Sequence, residues 1–320
     1  MACEHPKKII NRRYKDMAFN EVVDYAKLNY GMLWPPDYIV EVPCGYCFSC
    51  QKSSNNQYRI RLMYEIRKWS PNTCLFVTLT FDDENLIKYQ DNPNKAVRLF
   101  LDRMRKRFGR QIRHWFIGEY GSLKGRPHYH GILFNVPREL STVYSVAHPG
   151  DHPVVRELWQ YGFVFVGYVS DNTCSYITKY LTKSLNGKKV RPRVISSHGI
   201  GDNYLSSDES RLHKAGNKLQ PFMHLNGFPQ ALPRYYYNKI FSEVDKQNMV
   251  LDNFISPPPF VWQGVRYPTE EERNSARAST FESNKSSGLT PCVAPPVNKV
   301  IPSEERFKKR LEKFENEFAL

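Results

Sequence analysis

No stretch of this 320-residue chain strings together the run of about 18 apolar residues that a membrane span requires. The opening residues, MACEHPKKII, hold no apolar region of the secretory type. A cytosolic protein without a membrane partner is expected. No Gly-x4-Gly-Lys-Ser/Thr loop occurs, which excludes a visible nucleotide-driven motor. Cysteines are few and odd in number, seven, and three of them crowd into Cys44, Cys47 and Cys50. In a reducing compartment that pattern points to metal rather than disulfides. Acidic residues are also short, 32 against 46 Lys and Arg, leaving a formal net charge of +14. Such a balance favours a polyanionic partner, nucleic acid or an acidic membrane surface. Twenty tyrosines and 19 phenylalanines favour the first, because rings offer stacking faces to unpaired bases. A membrane-surface protein would instead need one basic amphipathic helix. At 41% hydrophobic residues the chain can bury a core.

Residues 1 to 43 read as mixed and extended, with a short strand over Tyr38 to Val42. From Ser53 to Trp69, Tyr58, Leu62, Ile66 and Trp69 recur at helical spacing, with Arg59, Arg61, Arg67 and Lys68 elsewhere on the surface. Cys74 to Phe81 (CLFVTLTF) has the composition of a buried strand. A second helix is predicted over Asn94 to Phe108, with Arg98, Arg103, Arg105, Lys106 and Arg107 on its exposed side, a face suited to solvent or to phosphate. Arg113 to Glu119 and His128 to Val136 form the pattern of an antiparallel hairpin. A short helix near Val154 to Trp159 and a strand over Phe163 to Val169 follow. Asp171-Asn172-Thr173 starts a helix expected to run to about Leu185, with Asn186-Gly187 as its stop. The pattern is α+β: an antiparallel sheet with helices on one side. Four regions are expected: 1–52 with the cysteine cluster, a core at 53–188, a basic and aromatic extension at 189–256, and a mobile Pro-rich tail at 257–320. Ser303 to Phe318 reads as one charged helix within that tail.

Two groups carry chemistry. His128 and His130, two apart on a strand, share a face, and the hairpin brings the carboxylate of Glu119 beside them. Two imidazoles and a carboxylate leave coordination sites open on a catalytic Mg²⁺ or Mn²⁺. The same triplet also suits half-buried strand histidines with no metal. In YITKYLTK, residues 176–183, Tyr176 and Tyr180 stand four apart with Lys179 and Lys183 on the same stripe, nearly opposite Cys174, Ile177, Leu181 and Leu185. Tyrosines kept off the apolar side are candidates for nucleophiles, and two phenols allow two successive phosphoryl transfers.

With FVTLTF at 76–81, GEYG and RPHYHGILF between 118 and 134, and YITKYLTK at 176–183, the chain resembles the HUH endonucleases. Within them it is most similar to the replication initiators of small single-stranded DNA phages, the Microviridae, in particular their gokushovirus-like group. The resemblance spans about 110 residues. It implies a central antiparallel sheet in an HUH/RRM-like palm flanked by helices, and rolling-circle replication. The viral strand is nicked at its origin, held through a 5′-phosphotyrosine and later rejoined. It casts His128 and His130 as the metal ligands, Glu119 as a third whose identity varies within the superfamily, and Tyr176 and Tyr180 as nucleophiles in an order left open. Lys179 or Lys183 is the accompanying lysine. The implied partners are single-stranded origin DNA and a host helicase and polymerase, in the cytoplasm of a bacterial host.

Cys44, Cys47 and Cys50, with Cys3 or His5 as a fourth ligand, suit a structural zinc that pins the N-terminal segment. Two other functions compete with the initiator: an HUH transposase or relaxase, and a non-catalytic single-strand binding protein using the basic helices and the cluster Arg234 to Tyr237.

Overall fold

The computed structural model describes residues 3, 5–45, 47–70, 72–109, 111–120, 126–141, 150–181, 194–216, 218–225, 227–255, 260–262 and 265–286. In chain order its elements are β1 (Lys7–Ile10), α1 (Phe19–Tyr30), β2 (Ile39–Val42), α2 (Phe48–Arg67), β3 (Cys74–Phe81), α3 (Asp83–Lys88), α4 (Pro93–Phe108), β4 (Arg113–Tyr120), β5 (Pro127–Phe134), α5 (Arg138–Ser141), α6 (Pro153–Trp159), β6 (Gly162–Tyr168), α7 (Asp171–Thr178), β7 (Val194–Ser196), α8 (Asp208–Arg211), β8 (Phe222–Leu225), β9 (Phe228–Ala231), α9 (Arg234–Ile240), α10 (Glu243–Ile255), β10 (Phe260–Trp262), β11 (Val265–Tyr267) and α11 (Glu270–Ser286). They sort into two compact units, one drawn from residues 1–53 and 241–320, the other from residues 54–240.

The second unit is built on an antiparallel sheet of five strands in the order β6-β3-β5-β4-β7. Side chains alternate across a strand, so register fixes what each face carries. Thr78 pairs with His130 and Thr80 with His128, while on the other side of β5 Glu119 pairs with His128. All five therefore point to one face. The opposite face holds Leu75, Val77, Leu79 and Phe81 of β3, with Phe116, Tyr129 and Leu133 from its neighbours. These pack under Val97, Phe100, Leu101 and Met104 of α4 and Val155, Leu158 and Trp159 of α6. Burying a side chain of this size contributes roughly 1.5–3 kcal/mol, so this face organises the unit. Gly131 lies on it because a Cβ there would sit 2.1 Å from the Phe116 ring.

The fold is α+β as expected, but helices flank both faces rather than one. On the face of Thr78 and His130, Tyr176 of α7 meets Phe76 and Tyr58 of α2 meets Trp115. Other differences follow from details that periodicity does not carry. The N-terminal region expected to be extended contains α1. Only Val22 and Ala26 of that helix are fully buried, too narrow a stripe to register as amphipathic, and Gly31 caps it at φ 64°. β7, in the stretch read as a basic extension, completes the sheet beside β4. Within the region expected to be a mobile tail, β10, β11 and α11 are formed, α11 being started by the Thr269 hydroxyl accepting from the Glu272 amide. The predicted helix over Ser303 to Phe318 lies outside the described residues.

Several cations expected on solvated basic faces hold the second unit together instead. Arg103 donates to the carbonyls of Leu158 and Trp159 and to the Tyr161 hydroxyl, closing the end of α6. Arg61 donates to the Ile200 carbonyl and stacks over Tyr235, and Lys68 pairs with Asp202. Tyr236, in the cluster expected to stack on DNA, is fully buried, donates to the Gly201 carbonyl and packs against Tyr64 and Tyr204. A basic amphipathic pattern reads the same whether its cations meet solvent, phosphate or carbonyls.

Candidate active site

The side chains expected to act together do converge on one face of the sheet. His130 is buried at the centre, with Nε2 3.2 Å from Glu119 Oε2 and Nδ1 3.0 Å from the Thr78 hydroxyl. His128, one pair further along the strand, has Nδ1 3.1 Å from the Thr80 hydroxyl. A hydroxyl both donates and accepts, so each threonine fixes its imidazole in either tautomer while leaving Nε2 for another partner. These threonines were not singled out from sequence. The Thr-Leu-Thr alternation in β3, read beside His-Tyr-His in β5, is the signal that places them opposite the histidines.

α7 lays its tyrosines on this group. Tyr180 stacks on the His130 ring, 4.3 Å between centroids and 5° between planes, and Tyr176 meets the same ring edge-on at 6.2 Å. The Tyr180 hydroxyl donates to the Tyr176 oxygen. Cys174 and Ile177 are fully buried on the other side of the helix, as the stripe predicted. The helix itself ends sooner than expected. It stops at Thr178 and tightens to a 3₁₀ turn over Lys179–Leu181, while the expected stop at Asn186-Gly187 lies outside the described residues. An α-helix separates residues i and i+4 by about 40° around its axis, and a 3₁₀ turn by more. The two rings accordingly stand at 87° to one another, and their exposures differ: Tyr176 is 47% exposed and Tyr180 only 7%. Burial, then the contact with Tyr176, pushes the Tyr180 phenol well above its ordinary pKa. Lys179 is exposed at the start of the 3₁₀ turn, and Lys183 lies outside the described residues.

Three donors for a divalent ion share the face, and their chemistry, two imidazoles and one carboxylate, fits Mg²⁺ or Mn²⁺ with open positions for oxygen ligands. They are not drawn fully together. Among the described residues, the set of His, Cys, Asp or Glu with ligand atoms all within 4.8 Å of one another is Cys3, Cys44, Cys47 and Cys50. Closing the histidine set requires His128 to move toward the Glu119–His130 contact.

Phe163 and Phe165 extend the same face. They pair with Thr80 and Thr78 on edge strand β6 and are 68% and 48% exposed. Their partners in the alternation, Val164 and Val166, pack with the core on the other side. The Phe-Val-Phe pattern carried that information, but large rings on a strand read first as core.

Residues 74–185 match the family model of the Replication-associated protein ORF2. This part of the chain belongs to that family. The match spans β3 to α7, and so takes in every strand and helix that carries the histidines, the glutamate, the threonines and the tyrosines. Outside this segment likeness is weaker but extends further. The chain is 28% identical over 240 residues to the Replication-associated protein ORF2 of Spiroplasma virus 4, covering 68% of this chain and 74% of that protein. It is 26% identical to the Replication-associated protein VP4 of Bdellovibrio phage phiMH2K, covering 61% of this chain and 65% of the relative. To the Replication-associated protein ORF4 of Chlamydia phage 1 it is 25% identical, covering 61% and 52%. The last two matches span less than two thirds of those proteins. No solved structure matches the chain.

Proposed function

We propose that this chain is the replication initiator of a single-stranded DNA phage, and that it nicks and rejoins the viral strand at its origin through a tyrosine nucleophile. The observation that carries the reading is the packing of Tyr176 and Tyr180 on His130, with Glu119 in contact with the same imidazole. The relatives' names as replication-associated phage proteins support the initiator over a transposase or relaxase. Burial of Tyr236 removes part of the surface that motivated a binding-only protein.

The nicking step is a phosphoryl transfer. The Tyr176 oxygen attacks a phosphodiester phosphorus, the bond from phosphorus to the 3′ oxygen breaks, and the 3′ oxygen leaves as a hydroxyl after taking up the phenolic proton. The 5′ phosphate remains on the tyrosine, and its ester bond keeps the free energy needed for rejoining. A Mg²⁺ or Mn²⁺ ion held by His128, His130 and Glu119 supplies positive charge to the phosphate oxygens. The exposed Tyr176 is the first nucleophile, and Tyr180, whose hydroxyl donates to it, stabilises charge developing on its oxygen and serves in the later transfer. Lys179 adds positive charge nearby, and Lys183 is proposed beside it from the sequence stripe. Phe163 and Phe165 offer rings to unpaired bases next to the scissile phosphate. A host helicase and polymerase complete replication, since the chain shows no phosphate-binding loop of a motor.

Incubation of the chain with origin single strands and Mn²⁺ should give a covalent protein–DNA adduct that chelation prevents. Persistence of the adduct in a Tyr176→Phe, Tyr180→Phe double variant would reject a tyrosine nucleophile.

A further inference from the structure

Away from the sheet, in the unit drawn from residues 1–53 and 241–320, four cysteines from two distant stretches meet. Pairing of Lys7 with Val42 and Ile10 with Ile39 runs β1 antiparallel to β2, which brings the segment before β1 alongside the segment after β2. Cys3 and Cys44 are thereby neighbours. Cys47 precedes α2 and Cys50 lies in its first turn. The Sγ atoms of Cys3 and Cys47 are 3.8 Å apart, those of Cys44 and Cys50 3.9 Å, and all four fall within 4.8 Å of one another.

These spacings discriminate between the ways four cysteines can meet. A disulfide needs about 2.05 Å between sulfurs. Four thiolates around one Zn²⁺ at about 2.3 Å stand at tetrahedron corners roughly 3.8 Å apart. The surroundings suit anionic sulfur. The Cys44 amide donates to Cys3 Sγ at 3.2 Å and the Cys47 amide to Cys44 Sγ at 3.3 Å, and the turn between them uses Gly45 at φ 78°. The N-terminal end of α2 adds its positive dipole. Cys47 and Cys50 are buried, Cys3 and Cys44 half-buried, so the cluster is largely sheltered from solvent. Crowding and burial oppose ionisation of the thiols in the absence of a cation, Cys3 being pushed up to about 11 by burial.

We propose that Cys3, Cys44, Cys47 and Cys50 bind one structural Zn²⁺ that locks the N-terminal strands to the start of α2 and to α11. The link to α11 is Arg277, itself buried, whose guanidinium donates two hydrogen bonds to the Cys3 carbonyl, at 3.0 and 2.7 Å, and lies 3.8 Å from Glu41 of β2. A tetrathiolate zinc carries a net double negative charge, and the Arg277 cation offsets part of it. The site is independent of the histidine group and of the chemistry proposed there.

The test uses the full chain purified under reducing conditions, with zinc as the probe. Expected are one zinc per chain by elemental analysis after dialysis and X-ray absorption showing four sulfurs at about 2.3 Å. Cobalt substitution should give the thiolate charge-transfer bands of a tetrahedral site. Zinc should survive in a His128→Ala, His130→Ala variant and fall away in Cys50→Ser. Removal of zinc by a chelator should open cleavage by a protease within residues 1–53 and around α11. Three results would overturn the assignment: no zinc retained by the wild-type chain, a nitrogen in place of the fourth sulfur, or a disulfide among the four cysteines in the reduced chain. Because the wild-type spectra decide the question, misfolding of a cysteine variant does not shield it.

Discussion

Changing Tyr180 to Phe removes one hydroxyl and keeps the ring on His130, so it isolates the hydrogen bond that Tyr180 donates to Tyr176. If Tyr176 makes the first cut, that bond strengthens as its oxygen becomes charged. A hydrogen bond to a charged group contributes about 1.5–3 kcal/mol. Its loss should slow first-strand cleavage by about 10- to 150-fold without abolishing it. Tyr176→Phe should behave differently, because the remaining phenol is buried and held in its neutral form. Adduct formation from that variant should fall below detection. The assay is single-turnover adduct formation with labelled origin DNA at saturating Mn²⁺, followed by peptide mapping of the adduct to distinguish the two tyrosines. Rejoining, measured separately by supplying a pre-nicked strand, should fail in Tyr180→Phe. A Tyr176→Phe chain that cleaves at the wild-type rate, with Tyr180→Phe inactive, would refute the reasoning and reverse the order of the nucleophiles.

Thr78→Val and Thr80→Val keep side-chain shape while removing the hydroxyls that orient His130 and His128. Each should raise the Mn²⁺ concentration for half-maximal adduct formation by about 10-fold or more, the scale seen when outer partners of metal ligands are lost, and Glu119→Ala should raise it further; unchanged titration curves would remove these residues from the site. Phe163→Ala and Phe165→Ala should each weaken single-strand binding by about 1–3 kcal/mol in fluorescence titrations, leaving the fold's melting temperature unaltered, and equal affinity in the double variant would remove the proposed stacking platform. His114 is buried and its imidazole is pushed down to about 4, first by burial and then by Arg105 and Arg113. A depressed folded-state value means stability present above the ordinary 6.5 and lost as pH falls toward 4, up to roughly 3 kcal/mol. Denaturant titrations from pH 7 to 4.5 should show His114→Gln losing less stability over that range than the wild-type chain, and parallel losses would reject the contribution of this residue.

Much of the sheet was legible because its strands state their faces plainly. CLFVTLTF alternates apolar with half-buried residues over its full length, and β3 spans all eight of them. The hairpin of β4 and β5 was also readable, and with it the shared face of Glu119, His128 and His130. The tyrosine stripe predicted which side of α7 packs, through Cys174 and Ile177, but not the burial of Tyr180. That burial depends on a tightening of the last turn and on the His130 ring, a partner 50 residues away in sequence. Non-local contacts hid the fate of the basic residues in the same way. Arg61 and Lys68 read as part of a charged surface until residues 200 to 202 are placed beside α2.

Residue Glu65 shows why one end of the sheet face remains open for chemistry. Its carboxylate, fully buried, accepts from Arg113 at 2.6 and 3.2 Å, from the Trp69 indole and from the Gly201 amide. Four donors compensate for removing the charge from water, and breaking such a set by deleting one member typically costs about 3–5 kcal/mol. Arg113 and Glu119 lie on the same strand and the same face, six residues apart, roughly 20 Å along β4 at the usual rise. α2 therefore seals one end of this face, over Arg113 and Trp115, with an ionic lock and an aromatic contact. Among the described residues, the far end is covered by α7, which meets it with tyrosine rings. A face sealed throughout by apolar side chains would stabilise the fold equally well. A polar lock at one end and a histidine, carboxylate and phenol group at the other divide the same surface into a part that holds the helix and a part that meets substrate.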